Sequence, residues 1–434
     1  MISPMPDTYY FEDRDAALAA FGARLSEPKL RFFRSFGMDI VMGKREGSYF
    51  WDVNGRRFLN AHCNGGVFNL GHRNPEVIQA LTEALGRFDV GNHHLLSEAR
   101  AAVAQALTAG MPGDIEKVVF ASGGGEAVDT ALKMARGLTG RSGVVSATGG
   151  YHGHTGLSMA TGDAKYREPF GPQIPGFVQV PFNDLDALDA EVTSQTAAVI
   201  LEAVPATLGM VVPDTAYMAS VAELCAERGA LFVLDEIQTG LGRTGTLWAA
   251  EQYGVVPDFI TTGKGLSGGI YPIAATCYRT GHDRIFEPDP FIHISTFGGA
   301  ELGCAAALKV LEISSQPDFL ERVRAVGESL SKGLEVLINP ADGPLIEVRR
   351  LGMMLGLVHR TDAEGVLMSK ILFDSGIFAV YSNNDKRVTQ FLLPLTVTDS
   401  EVESAIEIYA GALERLATPQ YQTLAKALAP ESVA

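Results

Sequence analysis

Between about residues 96 and 310 the chain alternates two hydrophobic rhythms. Short, nearly continuous apolar runs occupy 117–121, 143–146, 197–201, 231–234, 259–262 and 273–278. Runs of this length without polar alternation predict strands covered on both faces. Between them lie segments with the three-to-four-residue period of a helix, such as 97–107 and 126–137, the latter apolar at 127, 128, 131, 132 and 135. Strands separated by helices predict a mainly parallel sheet with helices on each side. From about 318 the pattern changes to a long helix (318–338), two short strands (345–349 and 353–359), a helix, a strand pair and a final helix (399–416). The strand-turn-strand pattern at 47–55 is expected to join this smaller α+β unit.

A chain of 434 residues exceeds one small core. The expected division is a large domain over 65–317 and a small one formed by 1–64 with 318–434. An apolar fraction of 46% with 20% charged residues suits a compact soluble protein. The net charge of −16 argues against nucleic acid or an anionic membrane surface as partner, since both need basic patches. No apolar stretch approaches the roughly 20 residues that cross a bilayer, and residues 1–10 lack the basic and apolar regions of a signal peptide. Cys63, Cys225, Cys277 and Cys304 are scattered and read as reduced, buried thiols, so a cytoplasmic location is expected. His93, His94, His152 and His154 lie close together in pairs without accompanying carboxylates or cysteines, and no metal site is expected.

The chemistry concentrates at two strand ends. The apolar run 231–234 ends in Asp235, and the run 259–262 leads to Lys264 held between Gly263 and Gly265. In a parallel sheet, ligands sit beyond the carboxyl ends of the strands, where both residues fall. A buried acid beside a lysine is what pyridoxal phosphate (PLP) chemistry requires. The lysine forms a Schiff base, and the acid keeps the pyridine nitrogen protonated so that the ring draws electrons. Gly123-Gly124-Gly125 before a helix reads as a phosphate cradle, because backbone N–H groups and the helix N-terminus favour an anion.

The order of motifs resembles the class III aminotransferases, the ornithine, acetylornithine and ω-amino acid group, from about residue 30 to 415. The resemblance rests on Trp51-Asp52-Val53-Asn54-Gly55, Leu70-Gly71-His72-Arg73-Asn74-Pro75, Gly123 to Ala127, Tyr151-His152-Gly153, Leu234 to Gly245, Thr262-Gly263-Lys264-Gly265 and Ser295 to Gly299. It implies the fold type I of PLP-dependent transferases, aspartate aminotransferase-like, with a mainly parallel central sheet and a smaller α+β domain. It also implies PLP as cofactor, and a ping-pong reaction between a donor amine and a carbonyl acceptor. Lys264 and Asp235 are the implied catalytic pair. Gly124 and Gly125 are expected to hold the phosphate and Tyr151 to stack on the ring. His152 is expected to contact the cofactor, and Gln238 to bond its phenolic oxygen. Thr296 resembles a threonine that reaches the phosphate of a neighbouring subunit, which implies a homodimer with shared sites. An aminomutase or epimerase uses the same lysine and remains the alternative.

Two positions depart from relatives that bind α-carboxylates. Such relatives carry an arginine where this chain has Gln390, and an uncharged side chain replaces a bidentate guanidinium poorly. Without that arginine, Glu202 is expected to face the substrate as an unpaired carboxylate. A substrate that is amine-rich or polyhydroxylated, of amino sugar or polyamine type and without an α-carboxylate, is therefore expected. The alternative is a carboxylate site relocated to Arg243, Arg349 or Arg387. Asn64 and Phe68 on the loop before Asn69 are the remaining substrate-binding candidates.

Overall fold

The computed structural model of the protein describes residues 10–428. The ends of the predicted small domain, 1–9 and 429–434, lie outside the described residues, as does nearly all of the stretch read as lacking a signal peptide.

A seven-stranded sheet forms the centre, in the spatial order Ile115–Ala121, Ala274–Arg279, Phe259–Thr262, Leu231–Asp235, Thr196–Glu202, Gly143–Ala147, Phe177–Val180. Along Leu231–Asp235, Phe232 and Leu234 enter the apolar cluster on one face and Val233 the cluster on the other. That two-sided burial explains why the strands lack polar alternation. The pairings are parallel except around Ala274–Arg279, which runs antiparallel to both of its neighbours. The edge strand Phe177–Val180 escapes the hydrophobic pattern because it is four residues long and only Val180 is buried.

The helix Gly124–Thr139 buries Val128, Ala131, Leu132 and Ala135 against the sheet and stops at Gly140, whose φ of 67° ends it in the left-handed region. It starts at Gly124, capped by Gly123, so the glycine run is the first turn of the helix itself.

Two four-stranded sheets lie outside this centre. One joins Leu345–Leu351, Met354–His359, Val388–Phe391 and Val380–Tyr381. The other joins Met42–Glu46, Tyr49–Asp52 and Arg57–Asn60 to Ile377–Phe378, the last pair parallel. Segments from the two ends of the chain thus share hydrogen bonds, and Leu59 and Ala61 pack in one cluster with Leu355, Ile371 and Phe391. The helices Arg14–Phe21 and Glu27–Ser35, joined by the π-helical turn Gly22–Ser26, bury only Leu18 and Leu30. No helix among the described residues is long and apolar enough to cross a membrane. All four cysteines are buried and unpaired.

Candidate active site

Strand register assembles the acids. Glu202 pairs with Asp235, and Asp235 with Thr261, across three adjacent strands at their carboxyl ends. Neighbouring strands lie about 4.8 Å apart, which brings the two carboxylates side by side. Asp235 Oδ1 accepts from the Ile237 backbone N–H and from Thr261 Oγ1, both at 3.1 Å. Its Oδ2 lies 2.8 Å from His152 Nδ1. Burial opposes a charge on His152, but the bond to Asp235 and the charges of Asp235 and Glu202 outweigh it and raise its pKa above the ordinary histidine value.

Lys264 follows the next strand. Its φ of 40° is unusual for a residue with a side chain and throws the ammonium back over the strand ends. Nζ donates to Gln238 Oε1 at 3.1 Å. Burial draws its pKa below the ordinary lysine value, against the pull of Glu202 and Asp235, and so favours the free amine. Gly65 leaves room for it, since a Cβ there sits 3.4 Å from Nζ.

A cavity of about 160 Å³ connects these groups and is lined by Gly124 and Gly125 as well as by Asp235, His152 and Glu202. Tyr151, Gln238 and Lys264 border it and also line a second cavity of about 600 Å³. Two features of the small cavity point to a bound group. Gln238 Nε2 is buried without a partner, and a Cβ on Gly124 would crowd the Ile237 side chain at 2.9 Å, so glycine fits the first helical turn beside the cavity. An acid, helix N–H groups and a lysine lining one cavity fit the charges of pyridoxal phosphate.

The larger cavity brings Asn64 and Gln390 together with Lys264, but not Phe68. Phe68 therefore leaves the set of substrate-binding candidates: its ring lies tilted at 36° to that of His72 with centroids 4.1 Å apart and covers Gly269, because the turn at 63–66 carries the chain away from the cavity before it reaches residue 68. Glu202 borders the small cavity, and it is not unpaired as expected, since its Oε1 accepts from the Tyr151 backbone N–H at 2.8 Å. Burial pushes its pKa up to about 7; the Asp235 charge adds to this, while His152, the Tyr151 N–H and Lys264 act against it. None of the three arginines proposed as substitutes lines either cavity. Arg243 is fully buried on Asn69, Met353 O and Leu393 O. Arg349 binds Glu347 and Gly209 O, and Arg387 binds Asp385.

Thr296 is exposed and lies outside both cavities of its own chain. Its loop exposes Phe291, Ile292, Ile294 and Phe297, and the Phe291 ring lies 5.5 Å from that of His94, next to exposed Leu95 and Leu96. No group of three or more His, Cys, Asp or Glu among the described residues could hold a metal. Sequence reasoning missed most of the larger cavity's wall: Phe32, Phe33 and Phe36 from the N-terminal helix, His62, Lys370 and Tyr381. No motif marks them, since they meet only through the tertiary fold.

A family model described as "Aminotransferase class-III" matches residues 34–413. A protein of Archaeoglobus fulgidus described as an uncharacterized aminotransferase is 53% identical over 397 residues, covering 92% of this chain and 93% of that protein. Putrescine aminotransferase of Pectobacterium atrosepticum is 35% identical, over 88% of this chain and 86% of its own length. Among solved structures, ornithine aminotransferase from Toxoplasma gondii superposes with a TM-score of 0.85 at 26% identity, covering 94% of this chain and 96% of that one. An (S)-enantioselective ω-transaminase from Thermomicrobium roseum gives 0.85 at 28% identity, covering 94% and 99%.

Proposed function

The chain belongs to the class III aminotransferases, PLP-dependent enzymes of fold type I, and from that premise we propose a substrate class and a role for each residue of the site. The substrates are an amine donor and an aldehyde or ketone acceptor without an α-carboxylate, of amino sugar or polyamine type, used in a ping-pong cycle. The observation that carries this reading is Gln390 on the cavity wall while Arg243, Arg349 and Arg387 are engaged elsewhere. A carboxylate entering the cavity meets no free guanidinium. The relative named as a putrescine aminotransferase supports the same class.

When bound, the cofactor supplies an electron sink for the carbon next to the transferred nitrogen. Lys264 Nζ would hold the cofactor by its aldehyde and, when free, would carry the proton to and from that carbon. Asp235, braced by His152, would keep the ring nitrogen protonated. Tyr151 would cover the ring, Gln238 would bond the phenolic oxygen, and the N–H groups at Gly124 and Gly125 would hold the phosphate. Thr296 reaches the phosphate of a second copy in a cytoplasmic homodimer, with the exposed apolar side chains around Phe291 forming the interface.

Half-reactions followed by cofactor absorbance test the substrate class. Diamines or amino sugars are expected to convert the enzyme at least about tenfold more efficiently than L-glutamate, releasing a carbonyl product without a second substrate. Gln390→Arg is expected to raise glutamate efficiency about 10- to 100-fold, the worth of charge-assisted hydrogen bonds. Sub-millimolar use of glutamate that Gln390→Ala leaves unchanged sinks the reading. Steady turnover of a single amine to its isomer, with no carbonyl product released and no second substrate needed, points instead to an isomerase.

Glu202 gives a pH prediction. Its carboxyl is neutral below about 7 and ionised above. Attraction for a donor's ammonium groups is therefore expected to strengthen as pH rises through about 7, and Glu202→Gln to flatten that rise in plots of KM against pH. For folding the sign reverses. A carboxyl whose pKa is raised on folding stabilises at low pH, and the contribution is lost as pH rises through about 7. Glu202→Gln is expected to melt above the parent protein on the alkaline side.

A further inference from the structure

Cys63, Asn64, Gly65 and Gly66 follow one another at φ of 50°, 50°, 65° and 97°. Glycine adopts this region freely, whereas Cys63 and Asn64 hold it at a cost of about 1–2 kcal/mol each. Neighbouring groups maintain the turn. Asn60 Oδ1 accepts from the backbone N–H of His62 at 3.2 Å and of Cys63 at 2.8 Å. The Asn60 amide lies 2.9 Å from His72 Nε2, and the Leu392 N–H donates to Ala61 O at 2.6 Å. What this strained, braced turn accomplishes is the placement of His62.

The His62 ring lines the larger cavity with Asn64, Gln238 and Lys264 and stands edge-on to Phe378, 6.0 Å between centroids at 80°. Its ring nitrogens hydrogen-bond no other residue among the described residues. Desolvation and then the Lys264 charge push its pKa down to about 4. The imidazole is therefore neutral, with one donor and one acceptor nitrogen on a ring that lines the space where substrate must lie.

We propose that His62 is a specificity-determining residue that hydrogen-bonds a hydroxyl on the carbon chain of the amine donor, so that amino alcohols and amino polyols are preferred over the same skeletons without hydroxyls. The inference rests on the reading of Lys264 as the site of amine transfer. A hydroxyl donates and accepts, as does neutral imidazole. The Asn64 and Gln390 amides on the same wall are neutral and equally two-sided. A second ammonium uses only the acceptor nitrogen. Sites built to bond a hydroxyl reject the analogue without it, because their own polar atoms are left dry.

The test compares 2-amino-1,3-propanediol with 2-aminopropane, which share a skeleton. The parent enzyme is expected to prefer the diol in kcat/KM by about tenfold or more, the worth of a buried hydrogen bond. His62→Ala is expected to lower that ratio about tenfold and His62→Gln, which keeps a donor and an acceptor, to restore part of it. Melting temperature and cofactor retention show whether each variant is folded. A binding arm stands apart from the reaction: in cofactor-loaded Lys264→Ala, adding His62→Ala is expected to raise the calorimetric Kd of the diol about tenfold. An unchanged ratio, an equal loss for both amines, or an unchanged Kd overturns the proposal. If the parent enzyme converts neither amine, the reading of the reaction has failed, and the calorimetric arm alone decides the role of His62.

Discussion

Replacing Lys264 with alanine is expected to slow the amine half-reaction by at least about 10⁴-fold, because one side chain is asked to supply both the covalent attachment and the positioned base. No other lysine lines the small cavity. Lys370 lines only the larger one and is paired with Asp374. Lys264→Arg is not expected to rescue, since a guanidinium stays protonated and cannot attack an aldehyde. Added methylamine is expected to restore part of the rate, acting as a mobile substitute for the missing amine. Borohydride, which fixes the cofactor to the parent chain, is expected to leave it removable from Lys264→Ala, as mass spectrometry of the unfolded protein will report. The backbone adds a check independent of chemistry. At φ of 40° a glycine is less strained than an alanine, so Lys264→Gly is expected to be more stable than Lys264→Ala by about 1 kcal/mol. A Lys264→Ala enzyme that keeps more than about one hundredth of the parent rate, far above what such a loss permits, excludes the assignment.

The parts of this site that the sequence displays are those carried by buried strands. Apolar runs that end in Glu202 and Asp235, or lead into Lys264, stand out because the two-sided burial of Leu231–Asp235 and its neighbours keeps every other charged residue out of them. The remaining parts depend on contacts between distant segments or on backbone groups, neither of which leaves a side-chain pattern. The stabiliser of Glu202 is the backbone N–H of Tyr151, so the residue looked unpaired from side chains alone. Phe68 lies four residues from Asn64, yet the left-handed turn between them sends one to the cavity and the other onto His72. The aromatic wall formed by Phe32, Phe33 and Phe36 belongs to a short helix and its C-cap that bury only Leu30, and an apolar helical stripe does not by itself tell a cavity wall from a core face. Arg243 is the clearest case: it is one of three arginines that a relocated carboxylate site could use, and only the fold reveals that all of its bonds point into the protein.

The largest expected effects on stability lie at that arginine and its partner, with Asn69 the more sensitive of the two. Arg243 is fully buried and hydrogen-bonds no carboxylate among the described residues. Asn69 Oδ1 accepts from Nη2 at 2.7 Å and Nε at 3.2 Å, while Nη1 donates to Leu393 O at 2.7 Å and Met353 O at 3.2 Å. The charge thus ties the loop after Asp235 to Asn69 and to the C-terminal segments. Removing it by Arg243→Met leaves three buried acceptors without donors, at about 1 kcal/mol each, but also lifts the cost of burying a guanidinium. Asn69→Leu does the opposite: it keeps the buried charge and removes the acceptor shared by two of its N–H groups. Breaking a buried charged contact from one side costs about 3–5 kcal/mol, so Asn69→Leu is expected to be the more damaging single change. In the double variant the charge is gone and the missing acceptor no longer matters. Its stability should therefore fall close to that of Arg243→Met alone, a strongly non-additive cycle. Midpoints of urea unfolding for the four proteins measure this without assuming a two-state transition in a chain of this size. Additive losses, or an Asn69→Leu protein more stable than Arg243→Met, show that the guanidinium is solvated by something other than Asn69.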